Sequence, residues 1–592
     1  MPLNLNYADL IIDTPAIPPA WALMERELIR AQTRACETFF AKYFDERGYL
    51  KCIPRWGGND GPDDAIENLW HWPTLYVLGG SDSIMDMCKL AWEGHVRQYT
   101  EAKTTEVPFA RDGMYYKEFP VMFDWVHNAE GLTTFNHHGL FDPYERSFHD
   151  RVRRFAGFYM NEDPDAPNYD PDHKIIRSLF NGSRGPLLRK ATAIDWAGDP
   201  MDQVEGRFVA VHGERNWKEM LEHFADYTDI IGDHPSNLVA TALGFNAYAL
   251  TGEAKYRDWV LEYVDAWCER ADQNDGILPS NIGLDGTIGG ACDGKWYGGC
   301  YGWSFTIQVP PSYEPSSRSS VFRSITGFGN ALLLTGDQRY VDVWRGMLDS
   351  VNSNKKVVDG QEMYPHMYGD DGWYQFSPQP YSPGALDIYY WSMDRADLSR
   401  LSTTEGWTGY LEGNNPSYPE TAFGEDFETV RRKMDWVLND TMTTDTRLSD
   451  NTNKYNPATV TSLVHLMLGG LATEHSGPLH CRVRYFDPAR QRAGLPEDVG
   501  ALVERLGPDS MTLHLVNLHQ SEERDLVVQG GAYGEHEFTD VTVGDHRVDL
   551  DGTTFKVRLA PGAGAVLEVG MKRYVRQPTF AFPWDHGFGV QQ

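Results

Sequence analysis

Apolar residues recur at helical spacing over most of the N-terminal part of this 592-residue chain. An amphipathic helix repeats its apolar side chains every three or four positions, because about 3.6 residues complete each turn. The pattern predicts helices over 21–44, 65–99, 144–160, 217–231, 236–271, 321–351, 427–438 and 458–471. The N-terminal part is therefore predicted to be mainly α-helical.

A short turn repeats between these apolar stretches. It reads Leu-Thr-Gly-Glu at 250–253 and Leu-Thr-Gly-Asp at 334–337, with a looser Leu-Gly-Gly-Ser-Asp at 78–82 and weakened copies at 160–163 and 468–470. Glycine adopts the left-handed conformation that ends a helix, and the acidic or hydroxyl residue after it can cap the next helix. Each copy predicts a hairpin of two antiparallel helices. Stacked hairpins predict a closed (α/α)6-type toroid, with six as the favoured number.

The pattern changes to period two beyond position 475. Alternating apolar and polar residues, separated by Gly, Asp and Pro, predict strands over 511–517, 525–529, 538–543, 554–559 and 565–569. Such spacing is typical of a small antiparallel β-sandwich. We therefore predict two domains, a helical catalytic toroid over 1–475 and a β-sandwich over 476–592.

Composition and charge narrow the classes of partner. Hydrophobic residues make up 41% and charged residues 23%, as in globular proteins. The net charge of −32 argues against nucleic acid or an anionic membrane as the main partner. Local arginines could still bind an anionic substrate, so the net charge does not exclude a substrate that contains uronic acid.

The sequence shows neither a secretion signal nor a cysteine pattern typical of a zinc site. The chain begins without a basic and then apolar leader, and it contains no run of 18 apolar residues. The seven cysteines are scattered and form no CxxC pair. We expect a cytoplasmic protein without a cofactor, unless a leader precedes this sequence. The oligomeric state stays open.

The first loop that could carry chemistry runs from Arg55 to Trp72. Its glycines and carboxylates at the entry to a helix suit contact with a substrate, and the alternative is that Asp63 and Asp64 only cap that helix. The candidate substrate contacts in this loop are Trp56, Asp60 and Trp72.

The second loop, 123–140, combines carboxylates with three histidines, a residue that is scarce elsewhere in the chain. Histidine can act as an acid or base near neutral pH, and a carboxylate can orient it or act alone. The alternatives are a metal site, which we do not expect because no HExxH spacing occurs, and buried histidines that bond loop carbonyls. The candidate catalytic residues here are Asp124, Glu130, His137 and His138, and the candidate substrate contacts are His127 and Asn136.

Two further loops combine glycines with large aromatic rings, which line clefts that hold sugars. In 286–303, either Tyr297 or Tyr301 could act as a hydroxyl acid or base, or the rings could simply seal helix packing. In 363–374, a histidine and an aromatic ring lie beside acidic residues. Arg318 and Arg323 could clamp a carboxylate through two hydrogen bonds. The remaining candidate contacts are Asp293, Trp296, Trp303, His366 and Trp373, with Tyr297 taken as catalytic and Tyr301 as a contact.

Helical hairpins, aromatic glycine-rich loops and a C-terminal β-sandwich together resemble the (α/α)-toroid carbohydrate-active enzymes. These include unsaturated glucuronyl hydrolases, β-L-arabinofuranosidases and the toroidal alginate and heparin lyases. Asn136-His137 is similar to the Asn-His pair of the toroidal lyases, which helps neutralise a uronate and move its proton. The adjacent cysteines that hold zinc in the arabinofuranosidases are not present.

Three functions follow from these candidates. The favoured one is hydrolysis of a glycosidic bond in an oligosaccharide, expected to contain uronate, by two carboxyl groups drawn from Asp60, Asp124, Glu130 and Asp293. The alternative is a β-eliminating lyase, whose candidates are Asn136, His137, His138, Tyr297 or Tyr301, and His366. A non-enzymatic helical scaffold that binds a partner is the third.

Overall fold

The computed structural model describes residues 8–57, 61–197 and 216–585, so the predicted contact Asp60 lies outside the described residues. The N-terminal part is helical, as predicted. Its α-helices are α1 (Ala20–Tyr43), α2 (Pro62–Glu67), α3 (Trp72–Val77), α4 (Asp82–Glu101), α5 (Trp125–Asn136), α6 (His138–Phe141), α7 (Arg146–Gly157), α8 (Ala193–Ala197), α9 (Trp217–His223), α10 (Thr241–Thr251), α11 (Ala254–Gln273), α12 (Ile325–Thr335), α13 (Arg339–Asn352), α14 (Ala385–Ser392), α15 (Gly406–Leu411), α16 (Tyr418–Asn439) and α17 (Thr461–Leu468). Short 3-10 helices cover Pro235–Ala240, Val321–Ser324, Arg395–Arg400 and Ser449–Tyr455.

The repeated turns join helices as the sequence predicts. Gly252 ends α10 and Gly336 ends α12, with φ angles of 69° and 70° in the left-handed region. In the looser copy Ser81 caps α4, and its hydroxyl accepts a hydrogen bond from the Ser83 amide. The predicted helix over 65–99 is wrong in its continuity, because His71 has a φ of 71° and divides the segment into α2, α3 and α4.

The helices differ in how much of their surface is buried. The helices α10 and α12 are buried on all faces, whereas α11 and α13 bury one face each. A helix that is apolar all round belongs inside a protein, and an amphipathic one belongs at its surface. The helix α10 packs against α7, α11 and α12, and α12 packs against α13. Near the two ends of the helical part, α1 packs against α16 as well as α4.

The C-terminal part is built from strands, as predicted. The strands of the chain are β1 (Leu10–Ile12), β2 (Tyr115–Tyr116), β3 (Phe119–Pro120), β4 (Tyr169–Asp170), β5 (Ile175–Ile176), β6 (Thr306–Val309), β7 (Glu314–Ser317), β8 (Lys356–Val358), β9 (Gln361–Met363), β10 (Met367–Gly369), β11 (Gly372–Tyr374), β12 (Gly470–Leu471), β13 (His480–Cys481), β14 (Val483–Asp487), β15 (Arg492–Ala493), β16 (Val499–Leu506), β17 (Ser510–Asn517), β18 (Arg524–Gly530), β19 (Glu537–Val543), β20 (His546–Gly552), β21 (Thr554–Leu559) and β22 (Gly564–Lys572).

Two five-stranded sheets account for most of this C-terminal part, in the orders β1-β21-β18-β14-β15 and β16-β17-β22-β19-β20. Period two is visible in β21, where Phe555, Val557 and Leu559 are buried and the residues between them are half-buried. The N-terminal strand β1 joins the first sheet and runs parallel to β21, with Leu10 opposite Val557. Within residues 8–57, 61–197 and 216–585, no helix combines the length and apolar content needed to cross a bilayer.

Candidate active site

One cavity of about 470 Å³ lies where α2, α5 and the 3-10 helix before α12 begin. Helix N-termini carry partial positive charge, which favours carboxylates beside them. We call this space the carboxylate cavity. The carboxyl groups that line it are those of Asp63, Asp64, Glu67, Glu130 and Asp450. The basic side chains that line it are His127, His223, Arg318 and Arg323.

The start of α2 brings two adjacent aspartates to the cavity, but they make different contacts. Asp64 accepts a 2.7 Å hydrogen bond from the Gly61 amide and so caps the start of α2, as the capping alternative predicts. Asp63 is only 4% exposed, and its Oδ1 atom has no hydrogen-bond partner among the described residues. A buried polar atom left without a partner costs free energy. Asp63 is therefore the member of the pair that is poised to bond a ligand.

Burial makes Asp63 hold its proton near neutral pH. The pKa of Asp63 is raised to about 7, mainly because the side chain is removed from water. The nearby Glu130 carboxylate raises this pKa further, and His127 lowers it. Burial and neighbouring carboxylates also raise the pKa values of Asp64 and Glu67 well above the usual range. The cavity thus contains a carboxylic acid that can donate a proton near neutral pH.

The start of α5 fixes His127 beside these groups. The buried Asp124 carboxylate caps α5 by accepting bonds from the amides of Val126 and His127, and it also lies 2.7 Å from His127 Nδ1. The His127 ring stacks on Phe123 with 5.0 Å between ring centroids. Burial alone would lower the pKa of His127, but Asp124 and the other carboxylates outweigh it and raise that pKa to about 10. His127 therefore lines the cavity as a cation, and the Asp124 carboxylate bonded to it keeps its pKa high.

Glu130, one turn further along α5, is paired with Arg323. The guanidinium lies 2.6 Å from Glu130 Oε1 and also donates to the Val126 carbonyl at 2.9 Å. Arg323 comes from the 3-10 helix before α12, so the ion pair links the two helices. His475 lies 3.5 Å from the same carboxylate oxygen. Glu130 is therefore paired with a cation, whereas Asp63 has an unpartnered oxygen and a raised pKa.

The two carboxyl groups are close. One oxygen of Asp63, one of Glu130 and one ring nitrogen of His127 all lie within 4.8 Å of one another. Asp63, Asp64 and Glu67 form a second set at the same spacing. Either set could hold a divalent cation, but at the first one His127 and Arg323 already supply positive charge.

Aromatic rings also line the carboxylate cavity. Tyr301 is a predicted contact, and Trp70 and Phe322 were not predicted. The other rings are those of Phe123, Trp196, Phe224 and Tyr227. Trp196 meets Tyr301 edge to face, with 6.1 Å between ring centroids. Flat apolar rings together with polar groups are typical of sites for sugars, whose faces are apolar and whose edges carry hydroxyl groups.

The structure gathers some predicted residues here and places others elsewhere. The predicted residues that line the cavity are Glu130, His127, Tyr301, Arg318 and Arg323. Asp124 and Trp56 lie directly behind it, where the fully buried Trp56 ring packs on Phe123 with 4.3 Å between centroids.

Four predicted residues are buried in the core instead. Trp72 donates to Asn456, Asn136 accepts from Asn246, and His137 donates to the Gly477 carbonyl at 2.8 Å. His138 lies 3.2 Å from Glu145. These contacts are structural in kind, and none of the four side chains lines the carboxylate cavity.

Most of the remaining predicted residues belong to a separate aromatic cluster around the β10–β11 hairpin. Tyr297 donates to Asp370 at 2.8 Å, Trp296 packs on Tyr368, and Trp373 packs on the same ring. This cluster also includes the fully buried Trp303 and His366, which donates to the Gln379 carbonyl, whereas Asp293 is exposed. None of them lines the carboxylate cavity.

Sequence reasoning missed the roles of Asp63, Glu67 and Asp450. The spacing of Asp63 and Glu67, four positions apart, places both on one face of α2. That spacing is a usable signal. Asp450 comes from the 3-10 helix Ser449–Tyr455, far along the chain, and Asn453 bridges it to Glu67 at 3.0 and 2.9 Å. Only the folded structure shows that contact.

Comparison with known protein families assigns the chain to a family. The family described as "Domain of unknown function (DUF8034)" matches residues 12–364. The chain belongs to the DUF8034 family. The matched DUF8034 region contains Asp63, His127, Glu130 and Arg323, whereas Asp450 lies beyond it. No curated protein matches the sequence.

Several solved structures are similar to this DUF8034 protein at low TM-scores. Cellobiose 2-epimerase from Bacillus thermoamylovorans B4167 gives a TM-score of 0.34 at 11% identity, covering 63% of this chain and 85% of that one. A D-mannose isomerase gives 0.36 at 9% identity, covering 75% and 97%. The GH76A α-1,6-mannanase from Salegentibacter sp. HEL1_6 gives 0.31 at 9% identity, covering 73% and 98%. Such values do not indicate a shared activity.

Proposed function

We propose that this protein is a glycoside hydrolase that cleaves a neutral oligosaccharide in the carboxylate cavity. The observation that carries the proposal is the pair Asp63 and Glu130, two close carboxyl groups in opposite environments. Burial raises the pKa of Asp63 to about 7, whereas Arg323 pairs with Glu130. Glycoside hydrolysis requires one carboxyl group that is protonated and one that is ionised, flanking the scissile bond.

Each group has a defined part in the reaction. Asp63 donates its proton to the glycosidic oxygen while the Glu130 carboxylate attacks the anomeric carbon, so that the C–O bond to the leaving sugar breaks as a glycosyl ester forms. The Asp63 carboxylate then takes a proton from water, the resulting hydroxide attacks the anomeric carbon, and Glu130 leaves as a carboxylate. Arg323 binds the Glu130 carboxylate, and His127 lies within 4.8 Å of both reacting groups, so the two cations position them. Both groups return to their starting states.

The charge of the cavity favours a neutral substrate over a uronate. Five carboxyl groups line the walls, and Arg323 is already bound to Glu130. Arg318 is left as the guanidinium that could meet a substrate carboxylate. A uronate would add a further carboxylate to a group whose members already have raised pKa values because they are buried together, and this crowding costs free energy. Hydroxyl groups, in contrast, can both donate to the carboxylates and accept from the cations.

We also propose that the helices close into a ring of six hairpins around this cavity. The contact of α1 with α16 and the burial of α10 and α12 on all faces support closure. The proposed inner helices are α2, α5, α10, α12, α14 and α17. The proposed outer helices are α1, α4, α7, α11, α13 and α16.

One assay tests the proposed function against the lyase. The protein is incubated with neutral and uronate-containing oligosaccharides, and reducing ends and the ultraviolet absorbance of a 4,5-unsaturated uronate are followed together. We expect new reducing ends from a neutral substrate without new absorbance. New absorbance would support the lyase. If neither signal appears with any substrate of a broad panel, the hydrolase proposal is refuted.

The pH dependence follows from the protonated acid. Asp63 must carry its proton to act, and its pKa is raised to about 7. We therefore expect kcat/KM to fall about tenfold for each pH unit above roughly pH 7, because the fraction of Asp63 that is protonated falls at that rate. A rate profile from pH 5 to pH 9 measures this. Activity that stays constant up to pH 9 would contradict the assignment of Asp63.

A further inference from the structure

A second cavity, of about 210 Å³, adjoins the carboxylate cavity. It lies between α12, α14 and the segment 471–480, which leads from α17 towards the C-terminal strands. We call it the Asp387 cavity. Phe322 and Arg323 line both cavities, and His475, which lies 3.5 Å from Glu130, also lines the second one. The two spaces therefore meet beside Glu130.

Phe322 offers an open aromatic face where the two cavities meet. The residue is 41% exposed, although most of the aromatic side chains around it are buried. In the described part of the chain, no other aromatic ring packs on it. The apolar face of a sugar can stack on such a ring. A sugar chain that passes from one cavity to the other would cross Phe322.

Asp387 is a carboxyl group that no neighbouring side chain compensates. It lies in the first turn of α14 and is half-buried, and its side chain forms no hydrogen bond or ion pair with any other described residue. Burial raises the pKa of Asp387 to about 6, and its own backbone amide opposes this. A carboxyl group in such a place can accept hydrogen bonds from the hydroxyl groups of a neutral ligand.

The start of α14 explains how Asp387 comes to the cavity. Gly384 precedes the helix with a φ of 74°, and a Cβ atom added there would lie 2.3 Å from Ile325 Cδ1 of α12. Glycine thus lets α14 begin directly against α12. The Thr326 hydroxyl of α12 lines the same space and has no hydrogen-bond partner on a described residue. Two neighbouring helices therefore each bring one unpartnered polar group.

Two buried polar rings also line the Asp387 cavity. Trp391 is 2% and His480 4% exposed, and their ring centroids are 5.1 Å apart. Neither Trp391 Nε1 nor the two ring nitrogens of His480 have a hydrogen-bond partner within residues 8–57, 61–197 and 216–585. Burial lowers the pKa of His480 to about 3, so its ring is neutral. Because empty cavities are lined by apolar groups, this lining favours a polar occupant.

We propose that the two cavities form one extended site, in which the Asp387 cavity binds the sugar unit next to the one held in the carboxylate cavity. This inference rests on the proposed function, because it assigns a longer neutral oligosaccharide as its substrate. Phe322 stacks on the sugar chain where it crosses between the cavities, and Asp387 and Thr326 bond the hydroxyl groups of the next unit.

The charge of the Asp387 cavity supports a neutral ligand. Its carboxyl groups are those of Asp387 and Glu474, and its one guanidinium group among the described residues, that of Arg323, is bound to Glu130. An anionic sugar would find no free cation there. Hydroxyl groups can donate to both carboxyl groups.

The dependence of hydrolysis on chain length tests this proposal. The full chain is assayed with cello-, malto- and manno-oligosaccharides of two to six units, and kcat/KM is compared along each series. We expect kcat/KM to rise by about tenfold at one step in chain length, where the added unit reaches the Asp387 cavity. The absence of such a step in every series that is hydrolysed would overturn the proposal.

Two variants assign that step to this cavity. Asp387→Ala removes the acceptor, and Ala472→Phe fills the cavity from a position that does not line the carboxylate cavity. Both should reduce the rise in kcat/KM from about tenfold to about twofold or less. Asp435→Ala, at an exposed aspartate of α16, is the matched control and should keep the full rise. Thermal unfolding shows whether each variant is folded. A rise that persists in both Asp387→Ala and Ala472→Phe would refute the site.

Binding measurements keep this proposal apart from the proposed function. The same oligosaccharides are titrated calorimetrically into Asp63→Asn, in which hydrolysis is expected to be slow. A step in Kd that the added change Asp387→Ala removes would support the cavity even if the unchanged protein hydrolyses nothing. Hydrolysis without a step in kcat/KM or Kd would refute the cavity and leave the hydrolase standing. Binding of no member of the series would overturn the cavity as a sugar site.

Discussion

Replacement of Asp63 by Asn is expected to lower kcat by about 10³-fold and to raise Tm by about 1–3 °C. Asparagine keeps the size of the side chain but cannot donate a proton to the glycosidic oxygen. It also removes a carboxyl group whose pKa burial raises to about 7. The variant therefore lacks the catalytic acid, but it also avoids the free-energy cost of burying a carboxylate anion. Loss of activity with a gain in stability distinguishes a functional group from a structural one.

The stability effect has a definite pH dependence. Between about pH 4 and pH 7 the native protein holds a proton on Asp63 that the unfolded chain releases, so the free energy of unfolding falls as pH rises through this window. Asparagine does not titrate. The gain in Tm of Asp63→Asn should thus be small at pH 4, grow up to about pH 7 and stay constant above it.

Asp258→Asn is a suitable control for this variant, because Asp258 is an exposed residue of α11 that pairs only with the adjacent Arg257 among the contacts described for it. It should change neither kcat nor Tm. Full activity of Asp63→Asn would contradict the role of acid. A fall in Tm together with lost activity would instead indicate that Asp63 supports the fold.

Glu130→Gln is expected to lower kcat by at least about 10⁴-fold and, in contrast, to lower Tm. Glutamine cannot attack the anomeric carbon as a carboxylate does. The change also leaves Arg323 without its partner, although the guanidinium side chain is only 13% exposed. An unpaired charge in a mostly buried position destabilises the folded state. The two carboxyl groups should therefore give Tm changes of opposite sign.

A double variant separates the two consequences of losing Glu130. Arg323→Met alone should also lower Tm, and Glu130→Gln combined with Arg323→Met should recover part of that loss because no charge is left unpaired. Activity should stay absent in the double variant. Recovery of turnover along with stability would show that Glu130 acts only as the partner of Arg323.

The periodicity of the sequence predicts the helical hairpins well, because the signals are local. A glycine that follows an apolar stretch ends α10 and α12, and each turn leads directly into the next helix. For the segment 65–99, in contrast, the prediction of one continuous helix is wrong. Its apolar spacing continues across His71, but the left-handed backbone there breaks it into three helices.

The candidate site is predictable only in part. His127 and Glu130 stand out because a helix turn places them together, and Arg323 follows from its position before a helix. The pairing of Asp63 with Glu130 depends on how α2 packs against α5, which no local pattern encodes. The aromatic loop 286–303 has the composition of a binding loop, but most of its rings pack against the β10–β11 hairpin instead. Composition shows which rings are present, and only packing decides where they face.

The stereochemistry of the first product tests the pairing of Asp63 and Glu130 most directly. Their nearest oxygens lie within 4.8 Å, which is closer to the roughly 5–5.5 Å of retaining enzymes than to the roughly 6.5–9.5 Å of inverting ones. Proton NMR of the anomeric signals during the first minutes of hydrolysis, before mutarotation, records the outcome. We predict that the released sugar keeps the anomeric configuration of the substrate. Release of the opposite anomer would contradict attack by Glu130 and require a different pair of carboxyl groups.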